Sequence, residues 1–365
     1  MNPLEIFSSL SDPRIDRTKV YPLETIIFLT ISAVVAGAET FVDIEDFGNL
    51  KLNWLKKYVP CPDNRIPSHD TIGNFYSRLD PKEFESCFVN WVSQVCGISQ
   101  GELISIDGKT LRGSYDKYDN KAPIHMISAW ASKNEVVLGQ LKVTEKSNEI
   151  TAIPTLLDVL EIKGAIISID AMGCQTKIAE KIIEEGANYI LALKGNQEAL
   201  KEQVEPIFDI ATPFSQYEHT EKNHGRIEHR KCSILTDLNL IEEAQNWKGI
   251  KAVVKIESSR MDVLTEKQTH ETRYYITSLH TDAKHMNQLI RGHWAIENKL
   301  HWTLDVLFNE DLSRVRKDNA PENFSIIRRI ALNLIKLDKT PKVSQRIKRH
   351  RAAWSESFLE HLLRI

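Results

Sequence analysis

The chain is short of features that would set it apart from ordinary soluble proteins. It has no apolar stretch of about 18–20 residues, the length needed to cross a bilayer. Its longest apolar run, Ile26 to Ala38, is interrupted by Thr30 and Ser32 and reads as a buried core helix. There are five cysteines, Cys61, Cys87, Cys96, Cys174 and Cys232, an odd number with no C-x-x-C pair. That argues against a disulfide framework and a structural zinc site, and it fits a reducing cytoplasm. Met1 to Lys19 is mixed and polar, without a secretory pattern. Neither charge dominates: 47 Lys and Arg face 50 Asp and Glu, for a net charge of −3. The chain as a whole is therefore not a basic nucleic-acid binder, although its C-terminus is locally basic. Internal repeats and low-complexity segments are also missing.

What is present is 365 residues, enough for two domains or for one domain with a large insertion. Four regions follow from periodicity. Residues 1–98 read as helical, with an apolar helix over Leu23–Glu39, a second over Asp43–Tyr58, a cap at Ser68 and a further helix starting at Asp80-Pro81. From residue 99 to 211 the pattern becomes a strand over Leu103–Asp107, two strands over Ile124–Ser132 and Glu135–Val143, then alternating helices and strands. The nearly all-apolar Ala165–Asp170 reads as a central strand covered on both faces. This order predicts an α/β fold, a ribonuclease-H-like core whose mixed sheet is flanked by helices. Residues 212–281 read as a β-rich insertion, with strands over Cys232–Leu235, Ala252–Ile256 and Arg273–Thr277. Residues 282–365 read as the helical remainder of the core.

Three carboxylates carry the chemistry. Asp107 closes Leu103-Ile104-Ser105-Ile106, and Asp170 closes Ile166-Ile167-Ser168-Ile169. The carboxyl edge of such strands is where ligands bind in open α/β sheets. Two carboxylates side by side are costly unless a cation lies between them. The competing reading is that each Asp starts a turn. Glu297 falls in a helical pattern whose face holds His293, Leu300, His301 and Leu304. A buried carboxylate there needs a partner, either a metal held with the two aspartates or a basic side chain. Asp305, Glu310 and Asp311 compete for the same role. The row His293, Glu297, His301 raises a transition-metal site as a rival. His219, His224 and His229 lie in a polar segment and read as exposed or DNA-contacting. From Arg314 to Arg351 a basic stripe (Arg316, Lys317, Arg328, Arg329, Lys336, Lys339, Lys342, Arg346, Lys348, Arg349) reads as a phosphate track or as a solvated helix face. Lys109, Arg112 and Lys194 stand where they could touch phosphates.

Several motifs together resemble one family. Ile106-Asp107-Gly108-Lys109-Thr110-Leu111-Arg112-Gly113, Asp170-Ala171-Met172-Gly173-Cys174-Gln175, Leu193-Lys194-Gly195-Asn196-Gln197, His224-Gly225-Arg226-Ile227-Glu228 and Arg291-Gly292-His293-Trp294-Ala295-Ile296-Glu297-Asn298 are similar to those of the H-repeat-associated, ISAs-type insertion-sequence transposases. Asp12-Pro13-Arg14 and Pro67-Ser68-His69-Asp70-Thr71-Ile72-Gly73 are similar to that family's N-terminal domain. The resemblance implies a DDE transposase with catalytic, metal-binding Asp107, Asp170 and Glu297. Two Mg²⁺ or Mn²⁺ ions are expected, bridged by Asp107, for cleavage and strand transfer at terminal inverted repeats. Partners are expected to be double-stranded DNA and a second copy of the chain, with no membrane. The setting is the bacterial cytoplasm, at the nucleoid when bound. DNA-contact candidates are Lys109, Arg112, Lys194, Arg226, Arg291, His293, Lys299, Arg316 and Lys317. Related insertion-sequence families carry Tyr, Arg and Lys around the glutamate, where this chain has Ile290, His293 and Leu304. Those roles do not transfer. A hydrolytic nuclease with the same triad and a non-enzymatic DNA-binding descendant remain alternatives.

Overall fold

The computed structural model describes residue 7 and residues 9–116, 121–143, 148–223, 225–340 and 342–364; His224 lies outside these. The strands are β1 (Leu103–Thr110), β2 (His125–Ala131), β3 (Val136–Val143), β4 (Ile166–Ile169), β5 (Asn188–Leu193), β6 (Ser215–Asn223), β7 (Arg226–Leu235), β8 (Ala252–Asp262) and β9 (Gln268–Thr277). The chain divides into two compact units. One comprises residues 98–107 and 147–296, the other residues 1–97, 108–146 and 297–365.

In the first unit the strand order is β1-β4-β5-β9-β8-β7-β6. β1 and β5 both pair parallel to β4, whose four residues are all buried. Val, Ile and Leu fill these strands because both faces are covered. The expected insertion is part of this sheet: β9 adds antiparallel to β5, with Leu191 opposite Ile276. It also holds one more strand than its periodicity indicated. β6, Ser-Gln-Tyr-Glu-His-Thr-Glu-Lys-Asn, carries no apolar alternation because it is the edge strand of the order. Helix Ala283–His293 covers one face through Met286, Leu289 and Ile290, which pack with Leu103, Ile166 and Ile190. On β1 the alternation then puts Leu103, Ser105 and Asp107 on the helix-covered face, with Ile104 and Ile106 on the other. A Cβ on Gly173 would meet Ile153 Cδ1 at 3.0 Å and Ile169 closer still, so only glycine lets the chain after β4 pass beneath helix Glu149–Val159.

In the second unit the order is β3-β2-β1, and β2 and β3 form an antiparallel hairpin with a bulge at Ala129/Trp130. Helix Leu23–Ala36 is buried from Leu23 to Val35 apart from Glu24. Helices Phe41–Leu50, Ala320–Leu337, Gln345–Trp354 and Glu356–Leu363 pack around it. Among the described residues no single helix is long and apolar enough to cross a membrane. The N-terminal helices are started by their caps. Thr40 and Asp43 form a capping box, Ser68 Oγ accepts from Thr71 N, and Asp80 accepts from Lys82 and Glu83 N with Pro81 in the first turn. The helical pattern over Asp43–Tyr58 resolves into two pieces, Phe41–Leu50 and Leu52–Leu55.

The basic C-terminal stripe is only partly solvated: Lys317, Lys339, Lys342 and Arg346 are exposed. Arg328, Arg329, Lys336, Lys348 and Arg349 are all buried. Each has an internal partner that offsets part of the cost of taking a cation out of water, although Arg328 Nη2, Arg329 Nε and Nη2 and Arg349 Nε donate to no acceptor among the described residues. Arg328 lies over Phe324, Lys336 over Trp130 and Arg349 over Phe308. Lys348 pairs with Asp338 at 3.1 Å. Arg329 Nη1 donates to Glu310 Oε1 at 2.7 Å, and both side chains are fully buried. Asn333 completes the docking, since its side chain accepts from Val137 N and donates to Val137 O of β3.

Glu310 is the anchor of this network. Burial alone would raise its pKa, but Arg329 and Lys109 outweigh burial and hold it well below the usual carboxylate range. Its ionised form therefore stabilises the fold above about pH 4.3, and that contribution is lost as pH falls toward the depressed folded value. Glu310→Ala, which leaves buried cations unpaired, is expected to cost about 3–5 kcal/mol in urea unfolding. A loss under about 1 kcal/mol, the scale of a surface pair, would contradict the buried pairing.

Candidate active site

Ile106 of β1 stands opposite Ile169 of β4 in a parallel register, so the next residues are Asp107 and Asp170. Neighbouring strands lie about 4.8 Å apart, which places the two aspartates abreast. They also share a face, because each lies two residues beyond a serine, Ser105 and Ser168, that are themselves register partners. β1 does not end at Asp107 as its apolar run suggested. It continues to Thr110, and its ladder runs on to Leu111 N, which donates to Ile124 O at 2.9 Å. The apolar run stops earlier because Gly108-Lys109-Thr110 belong to the other unit, where Lys109 is enclosed by acids.

Asp170 does start a turn, as the competing reading held: its Oδ1 accepts from Met172 N at 3.1 Å. The turn is braced from outside. Asn196 Nδ2 donates to Ala171 O at 2.6 Å and Gln197 Nε2 to Cys174 O at 2.9 Å. The motif Lys194-Gly195-Asn196-Gln197 thus holds the loop that carries Asp170. Burial and then Glu149 raise the Asp170 pKa, against the Gly173 and Met172 amides and Lys194. A cation at this carboxylate would relieve that cost.

Beneath the pair is a polar layer that sequence reasoning missed. Ser168 Oγ donates to Ser105 Oγ at 3.2 Å and lies 2.8 Å from His293 Nδ1. Both serines are buried. Burial pushes His293 down to about 4. His293 is half-buried, and its ring is turned to Ser168 of the sheet. Periodicity could have found this layer, because Ser is the one polar residue in each of two otherwise Ile/Leu strands.

Glu297 is the first residue of the other unit. It is exposed, on a π-helical turn over Ile296–His301 where an α-helical face was expected. The wider turn takes Glu297 off the side of Leu300 and Leu304, which are buried, so it does not need the buried partner inferred for it. Such turns are frequent at functional sites. Among the described residues no three His, Cys, Asp or Glu side chains gather into a metal cage, which holds for the His293, Glu297, His301 row and equally for Asp107, Asp170 and Glu297. Mg²⁺ commonly takes only one or two carboxylates with waters and substrate phosphates, and Asp107 with Asp170 fit that need.

The expected phosphate contacts divide. Lys109 is corrected: it is 9 % exposed, its Nζ is 3.1 Å from Glu310 and it also pairs with Asp305, so those acids serve it and not a metal. Asp311 stands 3.7 Å from the same ammonium. Arg291 is exposed but paired with Glu221 at 2.5 Å, and Lys299 is paired with Glu135. Arg316 Nε donates to Gly113 O at 3.2 Å. Arg112, Lys194, Arg226 and Lys317 are exposed.

The Transposase DDE domain family matches residues 98–334, and its DDE_Tnp_1-associated companion matches residues 4–92. The chain belongs to the H-repeat-associated family of DDE transposases. It is 43 % identical to "H repeat-associated putative transposase YhhI" of Escherichia coli (strain K12), over 99 % of this chain and 97 % of that one. It is 44 % identical to "Putative transposase YncI" of Escherichia coli O157:H7, over 99 % and 94 %. A piggyBac transposase synaptic complex with hairpin DNA aligns with 99 % of this chain and 76 % of its own, at TM-score 0.45 and 13 % identity. In this transposase family member the positions of the missing Tyr and Lys, Ile290 and Leu304, are buried core residues.

His293 gives a pH test. An unfolded histidine gains its proton near pH 6.5, and the folded one only near 4. The unfolded state binds more protons in that window, so stability is complete above about pH 6.5 and declines as pH falls toward 4. Histidine-resolved NMR should show the His293 ring neutral down to about pH 5; titration near 6.5 would contradict its burial.

Proposed function

We propose that this protein is a metal-dependent DNA transposase that cuts at the terminal inverted repeats of its element and joins the freed ends to a target. The observation that carries the reading is that Asp107 and Asp170 each directly follow the last register pair of β1 and β4, Ile106 opposite Ile169. Asp107, Asp170 and Glu297 would hold Mg²⁺, which when bound would supply activation of a water and charge stabilisation at the leaving 3′ oxygen. The water breaks a phosphodiester and leaves a 3′-OH, which then attacks a target phosphodiester and releases that strand's 3′-OH. The chain's own residues orient these steps. The Asn196 and Gln197 amides hold the Asp170 loop, and helix Ala283–His293 leads into the turn that presents Glu297.

Arg112, Lys194, Arg226 and Lys317 are exposed for phosphate contact, and residues 1–98 supply the part that reads the transposon end. Two ends must be joined, so the working form on DNA is a homodimer, acting in the cytoplasm at the nucleoid.

Purified protein with a labelled inverted-repeat duplex and Mg²⁺ or Mn²⁺ should nick at the repeat end and transfer the strand. Asp107→Ala, Asp170→Ala and Glu297→Ala should each lower the rate by at least about 10³-fold while repeat binding persists, as expected when transition-state charge stabilisation is removed. Nicking without strand transfer would make the protein a nuclease. Repeat binding with no metal-dependent cleavage would leave it a DNA-binding protein.

A further inference from the structure

We propose that His293 is a positioning residue: through its bond to Ser168 it locks the last turn of helix Ala283–His293 onto the strands that carry Asp107 and Asp170, and so sets where Glu297 begins. This rests on the assignment of those three carboxylates to the metal site.

The end of the helix is held far more tightly than docking an amphipathic helix requires. A Cβ on Gly292 would come within 2.6 Å of Leu103 Cδ2, so any larger residue would have to displace the Leu103 side chain of β1. Arg291 is tied to Glu221 on β6, and Trp294 lies under Arg273 of β9 at 4.7 Å. Between them His293 Nδ1 reaches Ser168 Oγ, which in turn donates to Ser105 Oγ. These contacts fall on four consecutive residues, and Glu297 follows three residues after the last. Each residue of slippage along a helix moves a side chain about 1.5 Å and about 100°. A polar bond to one serine fixes the rotation that apolar packing alone leaves free.

The two serines also have no other evident task. Burying hydroxyls in strands otherwise made of Ile and Leu is unfavourable unless they are bonded. Here they stand one alternation step below Asp107 and Asp170 and bond to each other and to His293.

The test compares the full-length protein with His293→Ala, Ser168→Ala, the double variant and His293→Asn, all on inverted-repeat DNA. Free Mn²⁺ is read by electron paramagnetic resonance, DNA affinity by mobility shift and folding by thermal melting. Loss of an outer partner of a metal ligand typically weakens metal binding about 10- to 100-fold, and that is expected for each single variant with DNA affinity unchanged. The double variant should fall short of the sum of the two single losses, since both single variants remove the His293–Ser168 bond while Ser168→Ala also removes the bond to Ser105. His293→Asn, whose amide can reach Ser168, should recover most of the loss. Parent-like Mn²⁺ affinity in His293→Ala, full additivity, or loss of DNA affinity would overturn the proposal. Should His293→Ala fail to fold, Ser168→Ala, which removes only a hydroxyl, carries the same expectation. Failure of the underlying assignment looks different: Asp107→Ala would then bind Mn²⁺ as the parent does.

Discussion

The parallel register between β1 and β4 is the constraint on which the site depends. Strand side chains alternate with a period of two, so a slip of one residue in either strand would send one aspartate to the opposite face. The register is secured from both sides. Ile104, Ile106, Ile167 and Ile169 are buried on one face, while Leu103 and Ile166 pack against helix Ala283–His293 on the other. The serine pair and His293 add a polar key to that second face. Apolar burial supplies most of the stabilisation here, and the polar contacts choose one register among those that burial alone would permit.

The second unit solves a different problem, the housing of charge. Its long helix Ala320–Leu337 carries Arg328, Arg329 and Lys336 into the interior. Glu310, three aromatic rings and Asp338 receive the cations of this region. Lys109, two residues beyond Asp107, is drawn into the same network. Cations committed in this way contribute to the fold and are withdrawn from phosphate binding. With a net charge of only −3 and five residues of the basic stripe enclosed, the chain presents no global basic field to a polyanion.

Much of this was legible in the residues. The apolar runs before Asp107 and Asp170, the caps at Ser68 and Asp80, and the alternation of helices and strands after residue 148 all appear where their periodicity places them, because local propensity and tertiary demand agree there. Three features escaped for physical reasons. β6 is polar because an edge strand has little apolar alternation to display. The π-helical turn at Ile296–His301 is invisible to a reading that assumes 3.6 residues per turn. The fate of each basic residue was hidden because charge alone does not say whether a side chain meets water or a buried acid; Lys109 and Arg112, three residues apart, differ in this way. His293 belongs to the same class, since a histidine next to a tryptophan on a helix looks the same whether it faces DNA or a serine.

The most direct measurement is anomalous diffraction from crystals of the protein bound to an inverted-repeat end and soaked in Mn²⁺. The account predicts a manganese peak between Asp107 and Asp170, with carboxylate oxygens from both at about 2.1–2.2 Å. A peak that engages neither aspartate, or no peak while DNA is bound at the site, would contradict it.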